Sequence, residues 1–286
     1  HKLYKILSMR KIIFSFALTA FIAACPGLLS AQHQLVKKWS TDSTLKIPES
    51  VLYDEGNSIL YVSNIDGEAN KKDGMGSIGK VGLDGNIINV DWVKGLNAPK
   101  GMALVKNNLW VADIDEVAVI DITTGKIIKK IPVPGAKFLN DVTASEDGII
   151  YVSDSQTKLV HKIENNKSSV YLKDLQGPNG VLVYNKELYV LDNKALYKIG
   201  ADREHLKIAE GLDGNADGLV HVEGGDFLAS LWQGTIYYVK ADGTVEKLLD
   251  TKDDKINSAD IDYDAKNKIL YVPTFLRNSI VAYQLQ

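Results

Sequence analysis

The sequence has only one cysteine, Cys25, among its 286 residues. A single cysteine excludes an intrachain disulfide framework, and it excludes a zinc site built from several thiolates. The stability of the folded chain therefore has to come from packing.

An excess of charge of one sign is also missing. The chain has 33 Lys and Arg against 36 Asp and Glu, and it carries no block of like charges. This balance favours neither a nucleic acid nor a membrane surface as a partner. With 45% hydrophobic and 24% charged residues, the composition is typical of a globular protein with a sizeable core.

The motifs of several catalytic classes do not occur. There is no Gly-x-Ser-x-Gly nucleophile elbow and no glycine-rich phosphate loop, and the few histidines have no evident Ser or Cys partner. Hydrolysis that depends on an activated side-chain nucleophile is therefore disfavoured.

The first 31 residues are predicted to be an upstream extension followed by an export signal. Met9 is the expected start; Arg10 and Lys11 then precede an apolar stretch over 12–24 and a run of small residues. The apolar stretch is too short and too interrupted to cross a bilayer, so no transmembrane span is expected. We expect an exported protein, periplasmic or extracellular.

Two cleavage sites compete in this segment. Residues 22–25, Ile-Ala-Ala-Cys, have the shape of a lipobox and would leave a lipid-anchored Cys25. Residues 29–31, Leu-Ser-Ala, suit ordinary cleavage before Gln32. The second site is favoured, because Pro26 directly after the cysteine is awkward for a lipoprotein.

An internal repeat of about 40 residues dominates the rest of the chain, and such a period indicates a propeller or another repeat array. Its marker is a short apolar run that ends in a polar or aromatic residue. The six copies are at 60–64, 109–113, 150–154, 188–192, 228–232 and 270–274. Their last positions are 49, 41, 38, 40 and 42 residues apart.

Each repeat is predicted to be an antiparallel meander of four strands. A short apolar strand precedes the marker, and two further strands follow it across tight Asp-Gly or similar turns. The last repeat has three strands, near 259–263, 269–274 and 279–285, and segment 34–39 resembles the missing fourth strand. The prediction is an all-β, six-bladed β-propeller over 32–286, a single domain whose last blade is closed by the N-terminal strand.

In a propeller the first strand of each blade lies innermost, so the residues at its start face the central channel. These residues form a candidate site. Those positions are Glu49, Lys100, Asn140-Asp141, Asn179, Asp217 and Ala259-Asp260. Glu49, Asn179 and Asp217 supply only oxygen donors, which suits Ca²⁺ or Mg²⁺, with Mn²⁺ or Zn²⁺ also possible. The alternative is a set of hydrated channel residues without a metal.

The segments around these positions resemble a known family. They are Ile47-Pro48-Glu49-Ser50, Leu139-Asn140-Asp141, Gly177-Pro178-Asn179-Gly180, Ala216-Asp217-Gly218 and Ser230-Leu231-Trp232-Gln233-Gly234. In this order they are similar to the gluconolactonase/regucalcin-like (senescence marker protein) family over nearly the whole chain after residue 31.

The resemblance implies a six-bladed propeller with one divalent metal, most often Ca²⁺, held by Glu49, Asn179 and Asp217. It also implies that Asn140 lies near metal and substrate, and that the substrate is a sugar lactone or a related ester. A metal so placed polarises the carbonyl and lowers the pKa of bound water, which Asp217 could orient or deprotonate.

Two departures from the family pattern concern the substrate. Family members with good sugar-lactone activity commonly have arginine where this chain has Phe138. The acid that often follows a few residues after Asp-Gly is also absent, since the chain continues to Val222 without one. His221 is interpreted as an ordinary strand residue, although it could substitute as a base.

Two functions are therefore predicted as alternatives. The first is a metal-dependent hydrolase of small lactones or esters, with Asp217 and Asn140 as catalytic residues and a monomer as the default state. The second is a non-enzymatic exported propeller that binds a small ligand or a protein partner.

In either case Asp113, Asp154 and Asp192, which end second strands, are expected to form hydrogen bonds with backbone groups. The polar loop 66–77 is interpreted as an insertion, with a lid over the channel as the alternative.

Overall fold

A computed structural model describes residues 32–286. The predicted extension and export signal, including Cys25, lie outside the described residues. Regular structure in the described part is β-strand, with one 3₁₀ turn at Phe275–Arg277. None of the helical structure in residues 32–286 is long and apolar enough to cross a membrane.

The strands form six four-stranded antiparallel sheets, here called blades 1 to 6. Blade 1 comprises β2 (Pro48–Asp54), β3 (Ile59–Asn64), β4 (Gly76–Gly82) and β5 (Ile87–Leu96). Blade 2 comprises β6 (Pro99–Val105), β7 (Asn108–Asp113), β8 (Glu116–Asp121) and β9 (Lys126–Pro132). Blade 3 comprises β10 (Leu139–Ala144), β11 (Ile150–Asp154), β12 (Leu159–Glu164) and β13 (Lys167–Leu172). Blade 4 comprises β14 (Pro178–Tyr184), β15 (Glu187–Asp192), β16 (Ala195–Ile199) and β17 (His205–Glu210). Blade 5 comprises β18 (Ala216–His221), β19 (Phe227–Leu231), β20 (Thr235–Val239) and β21 (Val245–Asp250). Blade 6 comprises β22 (Asp262–Asp264), β23 (Ile269–Pro273), β24 (Ile280–Leu285) and β1 (Leu35–Ser40).

The predicted fold class is confirmed. The first strands of successive blades contact one another around the ring, and the contact between β2 and β22 closes it. The marker run is the second strand of every blade, as the repeat predicted. Strand β1 pairs with β24 as the outer strand of blade 6, so the N-terminal strand completes the last blade.

Burial within a blade explains the apolar marker runs. Second strands such as β3 are buried almost throughout, because both of their faces pack against neighbouring blades. Outer strands such as β9 are mostly exposed, and β9 carries the exposed lysines Lys126, Lys129 and Lys130. Six clusters of buried apolar side chains lie between blades, one at each interface around the ring. The core is therefore divided among the blade interfaces.

The first strand of blade 6 differs from its prediction. A strand was expected over 259–263, but β22 covers only Asp262–Asp264. Asp260 instead forms an isolated parallel bridge with Ser50 of blade 1, and its backbone N–H donates to the carbonyl oxygen of Glu49 at 2.9 Å. The backbone at this point is thus paired across the blade interface, which shortens the strand within its own blade.

Candidate functional site

Five polar side chains occupy the same position in five inner strands. Each is the second residue of its strand, and they are Glu49, Lys100, Asn140, Asn179 and Asp217. Pairing with the second strand shifts register at this point in all five blades. Such irregularities change the direction in which the neighbouring side chains point. All five side chains line one cavity of about 530 Å³ at the channel.

Close approach of the inner strands explains the Asn-Gly and Asp-Gly motifs. A Cβ atom at Gly180 would lie 2.6 Å from the carbonyl oxygen of Asp217, and one at Gly218 would lie 2.4 Å from the nitrogen of Ile261. A side chain at either position would collide with the backbone of the next blade. Gly180 therefore allows the strand of Asn179 to approach that of Asp217, and Gly218 allows the strand of Asp217 to approach blade 6.

Three buried oxygens in the cavity have no hydrogen-bond partner among residues 32–286. They are Glu49 Oε2, Asn179 Oδ1 and Asp217 Oδ1. The Nδ2 of Asn179 donates to the carbonyl oxygen of Ala216 at 2.9 Å, which leaves its Oδ1 as the free atom of the amide. A buried polar atom without a partner costs free energy, and a bound cation would remove that cost.

The donor set suits a hard divalent cation. Two carboxylates and one amide oxygen match the preference of Ca²⁺ and Mg²⁺ for oxygen ligands. Within residues 32–286 no three His, Cys, Asp or Glu side chains are grouped so as to hold a metal ion. A metal at this place would therefore need the amide of Asn179 beside the carboxylates of Glu49 and Asp217.

Burial and like charge raise the pKa values of both carboxyl groups. The pKa of Glu49 rises to about 8, mainly because burial disfavours the charged form and also because Asp260 is near, while Lys100 opposes the rise. Burial, together with the charges of Glu49 and Asp260, raises the pKa of Asp217 well above its ordinary value. A nearby cation favours the ionised form of a carboxyl group and would lower both pKa values.

Lys100 is a buried, fixed ammonium at the edge of this set. Its Nζ donates to the carbonyl oxygens of Ala69 at 2.8 Å and Ala98 at 3.0 Å, and it lies 4.4 Å from the ring centroid of Phe138. Burial lowers the pKa of Lys100, and the charge of Glu49 opposes that effect. The sequence placed Lys100 at the channel entrance but assigned it no role.

Asn140 is held by a residue that the sequence analysis missed. Its Nδ2 donates to Ser155 Oγ at 3.1 Å, and that hydroxyl donates to the carbonyl oxygen of Pro178 at 2.7 Å. Ser155 also lines the cavity. It directly follows Asp154 at the end of a marker run, and Ile65, Asn193 and Phe275 take the same place after their own runs and also line the cavity. This repeated position is the signal that could have identified it. The two bonds fix the orientation of the Asn140 amide.

Two residues of the predicted entrance set, Asp141 and Asp260, line a different part of the channel. Asp141 accepts hydrogen bonds from the backbone N–H groups of Val142 at 2.7 Å and Val181 at 2.8 Å. Asp260 accepts one from the hydroxyl of Ser50 at 2.5 Å. Both acids line a second cavity of about 240 Å³, to which all six inner strands contribute. They do not join the five residues of the first cavity, because each directs its carboxylate to a neighbouring inner strand.

Loops supply the mouth of the first cavity. The sequence analysis offered loop 66–77 only as an alternative lid and noted Phe138 only as a departure from the family pattern. The apolar residues at the mouth are Ile65, Ala69, Phe138, Trp232 and Phe275, and the amides there are Gln176, Asn193 and Asn215. Ala69 belongs to loop 66–77, so this insertion reaches the cavity and forms part of its wall.

His221 does not line this cavity. Its ring stacks on Tyr184 with centroids 3.5 Å apart, and its Nε2 lies 2.9 Å from the carbonyl oxygen of Gly224. These contacts agree with the interpretation of His221 as an ordinary strand residue.

No protein-family model and no curated protein sequence matches the chain. Solved structures match it well at low identity. One is described as a "putative gluconolactonase", with a TM-score of 0.67 at 16% identity, covering 90% of this chain and 93% of that one. A Bacteroides thetaiotaomicron protein of unknown function has a TM-score of 0.67 at 15% identity, covering 88% of this chain and 73% of that one.

A third similar structure is a lyase. It is a catalytically inactive histidine-to-alanine variant of Staphylococcus aureus virginiamycin B lyase with quinupristin, with a TM-score of 0.63 at 15% identity, covering 89% of this chain and 99% of that one. At these identities the likenesses establish the fold. The resemblance to gluconolactonase-like propellers is thereby confirmed for the architecture.

Proposed function

We propose that the protein is a divalent-metal-dependent hydrolase that opens lactones or related small esters. Glu49, Asn179 and Asp217 would hold the metal, with Ca²⁺ favoured by the oxygen donors and Mg²⁺, Mn²⁺ or Zn²⁺ as alternatives. The observation that carries the proposal is the three unpartnered buried oxygens of these residues on one cavity. When bound, the metal would polarise the carbonyl and increase the acidity of water.

The side chains of the cavity suit the proton transfers of lactone hydrolysis. Water adds to the carbonyl carbon, the ring C–O bond breaks, and the ring oxygen takes up a proton. Asp217 would accept the proton of the attacking water and return it to the leaving oxygen. Asn140, fixed by Ser155, would orient the carbonyl group. Lys100 would place a positive charge near the carboxylate of Glu49 and limit the net negative charge of the site.

Of the similar solved structures, the one described as a gluconolactonase supports this proposal more than the lyase does. One similar fold is described as a gluconolactonase, and another belongs to a lyase that is inactive when a histidine is replaced by alanine. Within residues 32–286 no histidine lines the first cavity. Its polar groups are carboxylates, amides, the Lys100 ammonium and the Ser155 hydroxyl, and this set favours hydrolysis assisted by a metal over chemistry that requires a histidine. With the predicted export signal, the proposed reaction takes place in the periplasm or outside the cell.

Metal removal and replacement test the proposal. The purified chain is stripped with chelator, and acid release from a panel of lactones and aryl esters is followed as Ca²⁺, Mg²⁺, Mn²⁺ or Zn²⁺ is added back. Calorimetry measures metal binding separately. We expect no turnover without metal and restored turnover with at least one ion. Turnover that is unaffected by chelator would overturn the metal-dependent reaction.

Asp217→Asn keeps the shape of the side chain and removes its charge. We expect it to weaken metal binding at least tenfold and to lower kcat at least a hundredfold, because a ligand and a base are lost together. The matched control is Asp253→Asn at an exposed position, which should match the unmodified chain in both measurements. If Asp217→Asn binds metal normally, the assigned ligand set is wrong. Metal binding without turnover of any ester would favour the alternative of a binding propeller.

A further inference from the structure

The mouth of the first cavity combines aromatic and amide side chains. Phe138, Trp232 and Phe275, from blades 3, 5 and 6, provide aromatic surface, here called the aromatic wall. Gln176 and Asn193 of blade 4 and Asn215 of blade 5 supply the amides. An entering molecule therefore meets both apolar and amide groups.

The aromatic wall is supported by buried apolar residues behind it. Ile65, Ala98 and Ile114 form a buried cluster near the mouth, and Ala69 and Phe275 pack against it. This cluster is separate from the six clusters between blades. Because its members support one another, the wall behind Phe275 is preorganised.

Both other aromatic residues are also held in place. The rings of Trp232 and Phe275 meet edge to face, with centroids 5.6 Å apart and planes at 78°. The ammonium of Lys100 lies 4.4 Å from the ring centroid of Phe138, and the backbone N–H of Phe138 donates to Asp154 at 3.2 Å. An apolar surface that is already ordered costs little conformational entropy when it binds a ligand.

The charged groups of the cavity are few and buried. Its ionisable lining residues are Glu49, Lys100 and Asp217, all of them buried. A sugar lactone whose hydroxyl groups face the rings of Phe138, Trp232 and Phe275 would lose water without gaining hydrogen-bond partners from those rings, which is unfavourable. An alkyl or aryl group in the same place would bury apolar surface favourably.

We propose that the preferred substrates are lactones that carry an apolar alkyl or aryl substituent on the ring, and that polyhydroxylated sugar lactones are poor substrates. The inference rests on the proposed function, because it places the carbonyl at Glu49, Asn179 and Asp217. The substituent then contacts Phe138, Trp232 and Phe275.

Three lactones of equal ring size test the specificity: δ-valerolactone, δ-nonalactone with its butyl tail, and glucono-δ-lactone with its hydroxyl groups. With metal present, kcat/KM for δ-nonalactone should exceed that for δ-valerolactone about tenfold or more, given what single methylenes contribute in an apolar pocket. Glucono-δ-lactone should have the lowest value. A value for glucono-δ-lactone above that for δ-nonalactone would overturn the inference and leave the hydrolase proposal standing.

Variants of the aromatic wall test whether its side chains cause the preference for a lactone with an apolar tail. Trp232→Ala and Phe275→Ala should each lower the ratio of kcat/KM for δ-nonalactone over δ-valerolactone about fivefold to tenfold, and Trp232→Phe should keep most of the ratio. Leu206→Ala removes a side chain that is 44% exposed on an outer strand, and it should leave the ratio unchanged. Equal ratios in all variants would show that this wall does not select the tail.

A binding measurement separates failure of the inference from failure of the proposed function. Piperidin-2-one and its 6-butyl derivative are the lactam counterparts of the first two lactones and resist hydrolysis. If no lactone is turned over, calorimetry should still show tighter binding of the butyl lactam, and its loss in Trp232→Ala would support the wall. Equal or absent binding of both lactams would overturn the inference.

Discussion

Asp260 is the clearest case in which one residue couples charge to folding. Its carboxyl group is buried, accepts a hydrogen bond from Ser50 and lies near Asp262, and burial raises its pKa to about 7. Glu49, Asp141 and Asp217 are the other buried acids whose charges interact with Asp260. A pKa raised above its unfolded value means that the folded state holds the proton more tightly.

The sign of the pH dependence follows from this shift. The stabilising contribution of Asp260 is complete below its ordinary pKa near 4 and is lost as pH rises through about 7. Asp260→Asn keeps an oxygen for Ser50 but does not titrate. The difference in Tm, variant minus unmodified chain, should therefore increase by about 5 °C between pH 4.5 and pH 8.

Differential scanning calorimetry in chelator measures this difference directly. Because the two chains share every other titrating group, their comparison reports Asp260 together with its charge interactions with Glu49, Asp141 and Asp217. The matched control is Asp253→Asn, whose Tm should follow that of the unmodified chain at every pH. A constant difference across the range would show that Asp260 does not hold a proton in the folded state.

At the scale of the element, the aspartates that end second strands organise the connections between blades. Asp113 accepts from the backbone N–H groups of Asn97 and Ala98, and Asp192 accepts from those of Gln176 and Gly177. Each carboxylate thus binds the segment that enters its own blade. The predicted structural role of these aspartates agrees with this arrangement.

Asp154 provides the strongest test of this role. It accepts from the N–H groups of Lys137, Phe138, Gln156 and Thr157 at 2.8–3.2 Å. Asp154→Ala leaves these donors without their acceptor and should cost about 3 kcal/mol. We expect Tm to fall by about 5–10 °C. Asp147→Ala, in the exposed β10–β11 turn, is the control and should change Tm by no more than about 1 °C. Equal effects of the two variants would contradict the role.

At the scale of the whole molecule, the ring is held closed by its two ends. Gln34 and Gln286 exchange two backbone hydrogen bonds of 3.0 and 2.9 Å, and Thr41 donates to Ile280 at 2.9 Å. Trp39 lies between blades 6 and 1, with its ring 5.9 Å from that of Tyr271. A Cβ atom on Gly85 would lie 2.8 Å from the Trp39 ring, so only glycine fits that turn of blade 1.

Trp39→Ala should weaken this closure. The indole is half-buried, so its removal should cost about 2 kcal/mol and lower Tm by about 5 °C. Val36→Ala on the same strand is the control, because its side chain is 41% exposed. It should change Tm by about 1 °C or less. Thermal unfolding followed by circular dichroism measures both variants, and a similar loss in each would show that Trp39 does not contribute more than its neighbours on the strand.

Local pattern alone determined the architecture and part of the site. Alternating apolar residues, turn residues and a period near 40 predicted six blades, and the count of strands at the two ends predicted the closure by β1. Glu49, Asn179 and Asp217 were predicted together because equivalent positions in a repeat take equivalent places around the channel. Lys100 and Asn140 followed from the same rule.

Only the tertiary structure decided the rest. Ser155, Asn193 and Phe275 directly follow marker runs and Trp232 ends one, but only the folded ring shows that these positions meet at the mouth of the cavity. The register shift at each inner strand sends Asp141 away from the first cavity although it adjoins Asn140. Asp260 pairs with blade 1 because the ring closes there. Repeats determine where strands lie, whereas the chemistry of the cavity depends on side-chain directions and loop contacts that form when all six blades meet.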